Sequence, residues 1–390
     1  MSETTIKKLY PPATIGIIGG GQLGRMLTFE AKRMGYKVVI LDPQSNSPAG
    51  QVADEQIIAG FDDLGAYHTL AGKADVLTYE FEHIDVDALS QIESEHTKVY
   101  PSPETLRLLQ NKYTQKTMLL RIGVPVPKFY VVDGIEELKS VYRQLGQKVI
   151  LKTCTKGYDG KGNIIIESIA DLELAYLQYG GKDLMMEEYI EYSQEVSIVI
   201  AKNTAQCIRY PIAENTHCNG ILLKSLIPAS LSCVTMAEIF KISEKIIDEL
   251  NDYGLFCIEF FIDKKQNVFV NEIAPRPHNT GHFSIEGCAT SQFEQLIRVI
   301  CGMPLGEANL RMPCATYNIL GNQEFDGDYT FKGIESALEI VDCHLHLYGK
   351  STSGSQKKLG HVTVLASSVE SADRKAKAAV DTIRITNGGT

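Results

Sequence analysis

The chain of 390 residues is long enough for two or three domains with their own cores, and 44% hydrophobic with 22% charged residues is ordinary for a globular protein. A formal net charge of −10 argues against a broad nucleic-acid surface, and no apolar run reaches the ~20 residues of a membrane span. Nine scattered cysteines without a C-x-x-C pair read as small buried residues in a reducing compartment. With no apolar core in the opening MSETTIKKLYPP, they predict a cytoplasmic protein.

Residues 14–18 form a short apolar run that predicts a buried strand. Leu23, Met26, Leu27, Ala31 and Met34 then share one helical face, and Gly35 ends that helix. Strands are predicted over 36–41 and 76–79, and the alternation implies a doubly wound parallel sheet with right-handed crossovers. Pro101-Ser102-Pro103 breaks the pattern, residues 104–122 read as helical, and 124–127 (VPVP) as an extended connector. From 128 to 305 strands come in pairs, 149–152 with 163–167 and 255–263 with 267–273, and a helix covers 236–250. That texture is α+β. Beyond 308 the chain is β-rich, with strands over 315–320, 344–348 and 361–365 and a basic loop, GKSTSGSQKKLGH, between the last two. The division is therefore 1–103, an α/β domain; 104–307, a two-part α+β domain; and 308–390, a small β-rich domain.

Three stretches ask for a ligand. GIIGGGQLGRM, at 16–26, carries Gly19, Gly21 and Gly24 in G-x-G-x-x-G spacing after a strand, with Asp42 downstream. It fits a dinucleotide, or another phosphate held by the same loop. KTCTKGYDGKGN, at 152–163, lies between two strands and is not a P-loop, since Gly162 follows Lys161. Gly157, Gly160 and Gly162 with Lys152 and Lys161 make it a flap suited to a triphosphate; the alternative is a hairpin with solvated lysines. In FCIEFFIDKKQNVFVNEIAPRPHNTGH, a four-residue loop over 264–267 pairs Asp263 with Val268 and places Glu259 opposite Glu272. Facing carboxylates repel, so neutralising Glu272 should relieve ~0.2–1 kcal/mol. A cation between them resolves the conflict, and oxygen ligands beside a phosphate loop suit Mg²⁺. The alternative is a different register, or one glutamate in solvent. Arg276, His278, Asn279 and His282 follow in a polar, turn-forming loop better suited to an anionic substrate than to zinc.

Taken in order, GIIGGGQLGRM, LDP, TYEFE, GYDGKG, EEYIEYSQEVS, PIAENTH, VNEIAPRPHNTGH and YGK followed by KKLGHVTVL resemble the ATP-grasp superfamily. Within it they are similar to the 5-(carboxyamino)imidazole ribonucleotide synthases, from about Ile15 to Leu365. The resemblance implies carboxylation of 5-aminoimidazole ribonucleotide by ATP and bicarbonate through carboxyphosphate, in purine biosynthesis, with Mg²⁺ and in a homodimer. It implies that Gly21, Gln22 and Leu23 hold the ribonucleotide phosphate, not NAD, and that Asp42 turns the chain or orients the loop. Glu80 and Glu82 would contact its amine and ribose. Arg276, His278 and Asn279 would close around the reacting end, and Lys350 and Lys357 of the last domain would meet phosphate or carboxylate. For ATP it implies Lys112, Lys152, the flap Gly157, Tyr158, Asp159, Gly160, Lys161, Gly162 and Asn163, the adenine strand Glu187, Glu188, Tyr189 and Ile190, then Glu195, His217, Asn271 and Glu272. Glu259 and Glu272 would hold the metal, and Tyr158, Asp159, Lys350 and Arg276 would act on bicarbonate and amine. Lys112 stands where relatives often carry arginine, and Lys357 precedes Lys358 where they often show Arg-Lys. Alternatives are a formate-dependent glycinamide ribonucleotide transformylase, a biotin carboxylase, or a nicotinamide dehydrogenase built on the first loop.

Overall fold

The computed structural model describes residues 6–388, except 96, 147, 156, 158–161 and 323–325. Its first sheet contains β1 (Thr14–Ile18), β2 (Lys37–Leu41), β3 (Glu55–Ile57) and β4 (Val76–Tyr79), all parallel, in the order β3-β2-β1-β4. β4 is buried along its whole length, as β1 and β2 are beyond their first residues, which is why they read as continuous apolar runs. The helix Gln22–Arg33 starts directly after the first glycine loop. It packs on the helix Gln292–Ile300, so one core joins Ile15 and Leu27 to Leu255, Leu296 and Ile300.

A second, antiparallel sheet contains β5 (Phe129–Val132), β6 (Val149–Thr153), β7 (Asn163–Ile166) and β8 (Leu184–Glu188), in the order β5-β8-β6-β7. The third sheet holds β9 (Tyr192–Lys202), β10 (Cys207–Arg209), β11 (Ala213–Cys218), β12 (Ile221–Ile227), β13 (Gly254–Asp263), β14 (Val268–Ala274) and β15 (Cys314–Leu320). After β16 (Tyr329–Lys332), which pairs only with β19 (Arg384–Asn387), the chain adds β17 (Cys343–Leu347) and β18 (Lys358–Leu365) to the same sheet. Its order is β14-β13-β9-β11-β12-β15-β18-β17, with β10 on the C-terminal end of β9. The β-rich tail is therefore not a sheet of its own: hydrogen bonding runs unbroken from β14 to β17 across residue 307. No helix of the described residues is long and apolar enough to cross a membrane.

The β13–β14 hairpin differs from expectation in its turn and agrees at its carboxylates. Asp263 N–H bonds Asn267 O and Gln266 stands at φ +67°, so the loop has three residues, 264–266, with a left-handed residue at its end. Ile262, not Asp263, pairs with Val268. Continued unbroken, this register would set Glu272 opposite Ile258. A β-bulge at Asn271 supplies the missing residue, and Glu259 pairs with Glu272.

Three histidines tie the last strands to the segment 278–287. The rings of His346 and His361 stack at 4.4 Å, and His361 stacks on His282 at 4.6 Å. Tyr348 Oη bonds His361 Nδ1 at 2.9 Å and His346 Nε2 lies 2.6 Å from Glu286, whereas neither ring nitrogen of His282 has a hydrogen-bond partner among the described residues. Burial, then the neighbouring His346 and Lys358, push His282 well below the ordinary histidine range; burial and the adjacent histidines do the same to His361. A histidine depressed in the fold contributes stability above its unfolded pKa and loses it as pH falls. From an unfolded pKa of ~6.5, each loses up to about 1.4 kcal/mol between about pH 7.5 and 5.5. His282→Phe, which keeps a stacked ring and cannot be protonated, should therefore shrink the drop in melting temperature over that range. An unchanged drop would show that His282 is not among the groups that titrate on unfolding.

Candidate active site

A cavity of about 900 Å³ opens where the three sheets meet. Gln22 and Glu80 face it from the first sheet, Lys152 from the second, Glu195 and Glu272 from the third, and Lys350 from the tail. Its size is at the upper end for small-molecule sites, enough for two ligands side by side.

The glycine loop is held by carboxylates. Gly19 sits at φ +97°, a conformation that requires glycine. Asp42 accepts from Gly20 N–H at 2.7 Å and from Gln44 N–H at 2.8 Å, so it both orients the loop and turns the chain. Glu80 accepts from Gly21 N–H at 2.7 Å and from Gly24 N–H at 3.3 Å. The Gly21 N–H, expected at the ribonucleotide phosphate, thus bonds Glu80 in this structure. Gln22 and Leu23 supply the remaining N–H groups of the first turn. Gly21 itself has an ordinary φ of −75°; a Cβ there would meet Glu80 Oε1 at 2.7 Å, so its constraint is the carboxylate, not the backbone.

The facing pair is unequal. Lys112 Nζ lies 2.6 Å from Glu272 Oε2. Burial works against the Glu272 charge, but Lys112, Lys152 and Arg276 outweigh it and hold this carboxyl below its usual range. Glu259 is raised, first by burial, then by Glu195 and Glu272. Its near neighbours are Asn271 Nδ2 at 3.4 Å and His278 Nε2 at 3.6 Å. Burial, with Arg276 and Lys358 nearby, lowers His278 to about 3, so it is a neutral imidazole and supplies no charge. The less compensated charge thus belongs to Glu259, and the relief expected on neutralising Glu272 does not apply: removing Glu272 strands Lys112.

Around Lys152 the expected nucleotide residues gather. Lys152 Nζ pairs with the buried Glu187 at 2.7 Å. Glu195 Oε2 meets His217 Nδ1 at 2.9 Å; burial alone would lower His217, and the carboxylate raises it above its usual value. Asn163, Tyr189, His217 and Asn271 line the cavity, while Glu188 and Ile190 do not. Gly157 O meets His83 Nε2 at 3.0 Å, which anchors the start of the flap on the first unit, and Gly162 stands at φ +89° at its return. Tyr158, Asp159, Gly160 and Lys161 lie outside the described residues.

Arg276 grips both oxygens of Glu82, so their charges offset each other across the junction of the first and third sheets, and both side chains line the cavity together with Glu80. Both carboxylates of TYEFE are thus engaged with protein groups. Lys357, in the turn before β18, bonds Thr352 Oγ1 at 2.8 Å and does not reach the cavity, whereas Lys358, the first residue of β18, lines it with Lys350. His278 and Asn279 line it as expected, with Asn279 Oδ1 3.5 Å from Gln22 Nε2. Sequence reasoning missed Lys358, which a strand beginning at that residue of KKLGHVTVL could have separated from Lys357. It also missed Lys116, a lysine in a helix with no motif to mark it.

The comparisons with known proteins agree with this geometry. Residues 12–110 match the ribonucleotide synthetase pre-ATP-grasp domain, 117–293 the ATP-grasp domain and 314–375 the phosphoribosylaminoimidazole carboxylase C-terminal domain. The N5-carboxyaminoimidazole ribonucleotide synthase of Bacillus subtilis is 39% identical over 361 residues, 92% of each chain. The crystal structure of the Thermotoga maritima synthetase superposes with a TM-score of 0.88 at 40% identity, covering 96% of this chain and 99% of that one. The Aspergillus clavatus synthase, solved with ADP and 5-aminoimidazole ribonucleotide, does so with a TM-score of 0.87 at 30% identity, over 96% and 99%. This chain belongs to the N5-carboxyaminoimidazole ribonucleotide synthases, a family of ATP-grasp ligases.

Proposed function

We propose that the cavity binds ATP against the second and third sheets and 5-aminoimidazole ribonucleotide against the glycine loop, and joins them through bicarbonate. The observation that carries this reading is the distribution of charge across one cavity. Lys152 and the facing glutamates lie at one end, with Lys112 paired to Glu272 outside the lining; the helix start at Gln22 and Leu23 lies at the other, with Lys350 and Lys358 in the wall. The first end suits a triphosphate. The second suits a phosphomonoester, because backbone N–H groups and the helix dipole favour an anion there.

Glu259 and Glu272 fit a hard divalent cation: both are oxygen donors, they oppose each other, and at Glu259 burial and the neighbouring carboxylates outweigh the nearby His217 and Lys112. When bound there, Mg²⁺ would neutralise phosphate charge. The chain's own residues do the rest. Lys152 draws in the phosphates, and the backbone at 187–190 holds the adenine edge. Glu195, kept in place by His217, takes the ribose hydroxyls. A bicarbonate oxygen attacks the γ-phosphorus and ADP leaves, giving carboxyphosphate. Its C–O bond to phosphate breaks to give CO₂ and phosphate. The exocyclic amine of the ribonucleotide attacks the CO₂ carbon and loses a proton, giving the carbamate. Lys350 and Lys358 stabilise the anions at this end, while Tyr158 and Asp159 are assigned to bicarbonate and amine by the family resemblance. A closed flap keeps water from the intermediate. In the three-part division, the first domain holds the ribonucleotide, the second ATP, and the third contributes the cations.

Phosphate release from ATP, with and without 5-aminoimidazole ribonucleotide and bicarbonate, tests the function. We expect turnover only with both, and turnover supported by formate in place of bicarbonate would overturn it. For the carboxylates, Glu259→Gln should abolish turnover yet raise the stability of the ligand-free protein by ~0.2–1 kcal/mol. Glu272→Gln should abolish turnover and lower stability. Denaturant unfolding distinguishes them; changes of the same sign would remove the asymmetry argued from Lys112. Lys350→Met should leave ADP binding intact and slow carbamate formation by about 10²-fold or more. Rapid-quench product analysis checks this, and a normal rate would place Lys350 outside the chemistry.

A further inference from the structure

One buried cation has no part in the reaction described above. Lys116, on the helix Lys112–Arg121, is 1% exposed, and among the described residues it does not line the cavity. Its Nζ lies 3.1 Å from Glu187 Oε1 and donates to Asn271 O at 3.2 Å. The other oxygen of Glu187 holds Lys152, which does line the cavity. One buried carboxylate therefore carries two lysines, one facing the ligand and one behind it.

That excess has a physical consequence. A lysine that is the sole counter-ion of a buried carboxylate must share its charge between that carboxylate and a phosphate, and a buried carboxylate left under-compensated is expensive. With a second lysine in place the first is free to move. Burial, together with Lys152 and Lys112, pulls Lys116 down to about 8, so it keeps its charge at neutral pH; Lys116 and Lys152 hold Glu187 below its usual range against the effect of burial. Lys116 also fixes the bulged Asn271 carbonyl, so the same ammonium ties the end of β8, beside the adenine edge, to the carboxylate strand β14.

We propose that Lys116 is a positioning residue for the nucleotide: the resident counter-ion of Glu187, which releases Lys152 to the ligand's phosphates without stranding a buried carboxylate. The inference rests on the reading that Lys152 serves those phosphates, and the experiment separates the two. ADP and adenosine are titrated calorimetrically into the wild-type protein, Lys116→Met, Lys116→Met combined with Glu187→Gln, and Lys152→Met. Lys116→Met should weaken ADP by about tenfold or more, because Glu187 then competes with the phosphates for Lys152. Adenosine, which has no phosphate, should stay within about twofold. The double variant should recover ADP affinity, since no carboxylate competes. Unchanged ADP affinity in Lys116→Met, a parallel loss of adenosine, or a double variant no better than the single would overturn the proposal and leave Lys116 a lysine of the fold alone. If Lys116→Met fails to fold, the double variant decides: ADP affinity near wild type supports the counter-ion role and its loss overturns it. If Lys152→Met leaves ADP unchanged, the reading of Lys152 fails and the proposal with it. If Lys152→Met weakens ADP and Lys116→Met does not, only the role of Lys116 fails.

Discussion

The opposition of Glu259 and Glu272 is the constraint around which the rest of the site is arranged. Two half-buried carboxylates facing each other on paired strands beside phenylalanines and isoleucines oppose folding unless something offsets them. The fold offsets one and leaves the other. Lys112 neutralises Glu272, Glu187 takes up two lysines close by, and Glu259 keeps a hydrogen bond and a neutral imidazole. In the proposed reading, the charge held at Glu259 is what a cation would offset, and stability is given up there in exchange for affinity.

The glycine loop shows how a local motif takes its meaning from its partners. A dinucleotide pyrophosphate needs the backbone N–H groups at the helix start. Here Glu80 occupies two of them and Asp42 a third. A buried carboxylate at that point repels a second polyanion lying across the whole turn, yet leaves Gln22 and Leu23 for one phosphate at the edge. The pairing of Arg276 with Glu82 then joins the first and third sheets, so the charges of TYEFE and RPHN that line the cavity are also tied into the architecture.

The unbroken third sheet explains how residues from the end of the chain reach chemistry set up near its middle. β15, β18 and β17 continue the ladder that begins at β14, and backbone hydrogen bonding fixes Lys358 relative to the carboxylates as rigidly as any two positions in one sheet. Lys350 lies in the connection between β17 and β18. The stacked histidines beneath it fasten the same strands to the segment 278–287, so the wall of the cavity is braced on both sides.

What the sequence determined by itself is what local physics determines. Apolar runs placed β1, β4 and β13 almost to the residue, glycine clusters marked both loops, and the order of short motifs named the family. The facing glutamates were legible too, but by compensation: the turn is one residue shorter than counted and a bulge at Asn271 restores the register, so the pairing was right while its derivation was not. Tertiary structure alone decided which charges were free. Glu80, Glu82, Arg276 and Lys357 look alike as substrate residues in a string; the first three line the cavity already engaged with protein partners, whereas Lys357 bonds Thr352 outside it. Lys358 and Lys116 look like surface lysines, and burial makes one a wall of the cavity and the other a counter-ion. A motif records residue types and spacing, whereas the fate of a charge depends on desolvation and on the nearest opposite charge, and both are set only when distant segments meet.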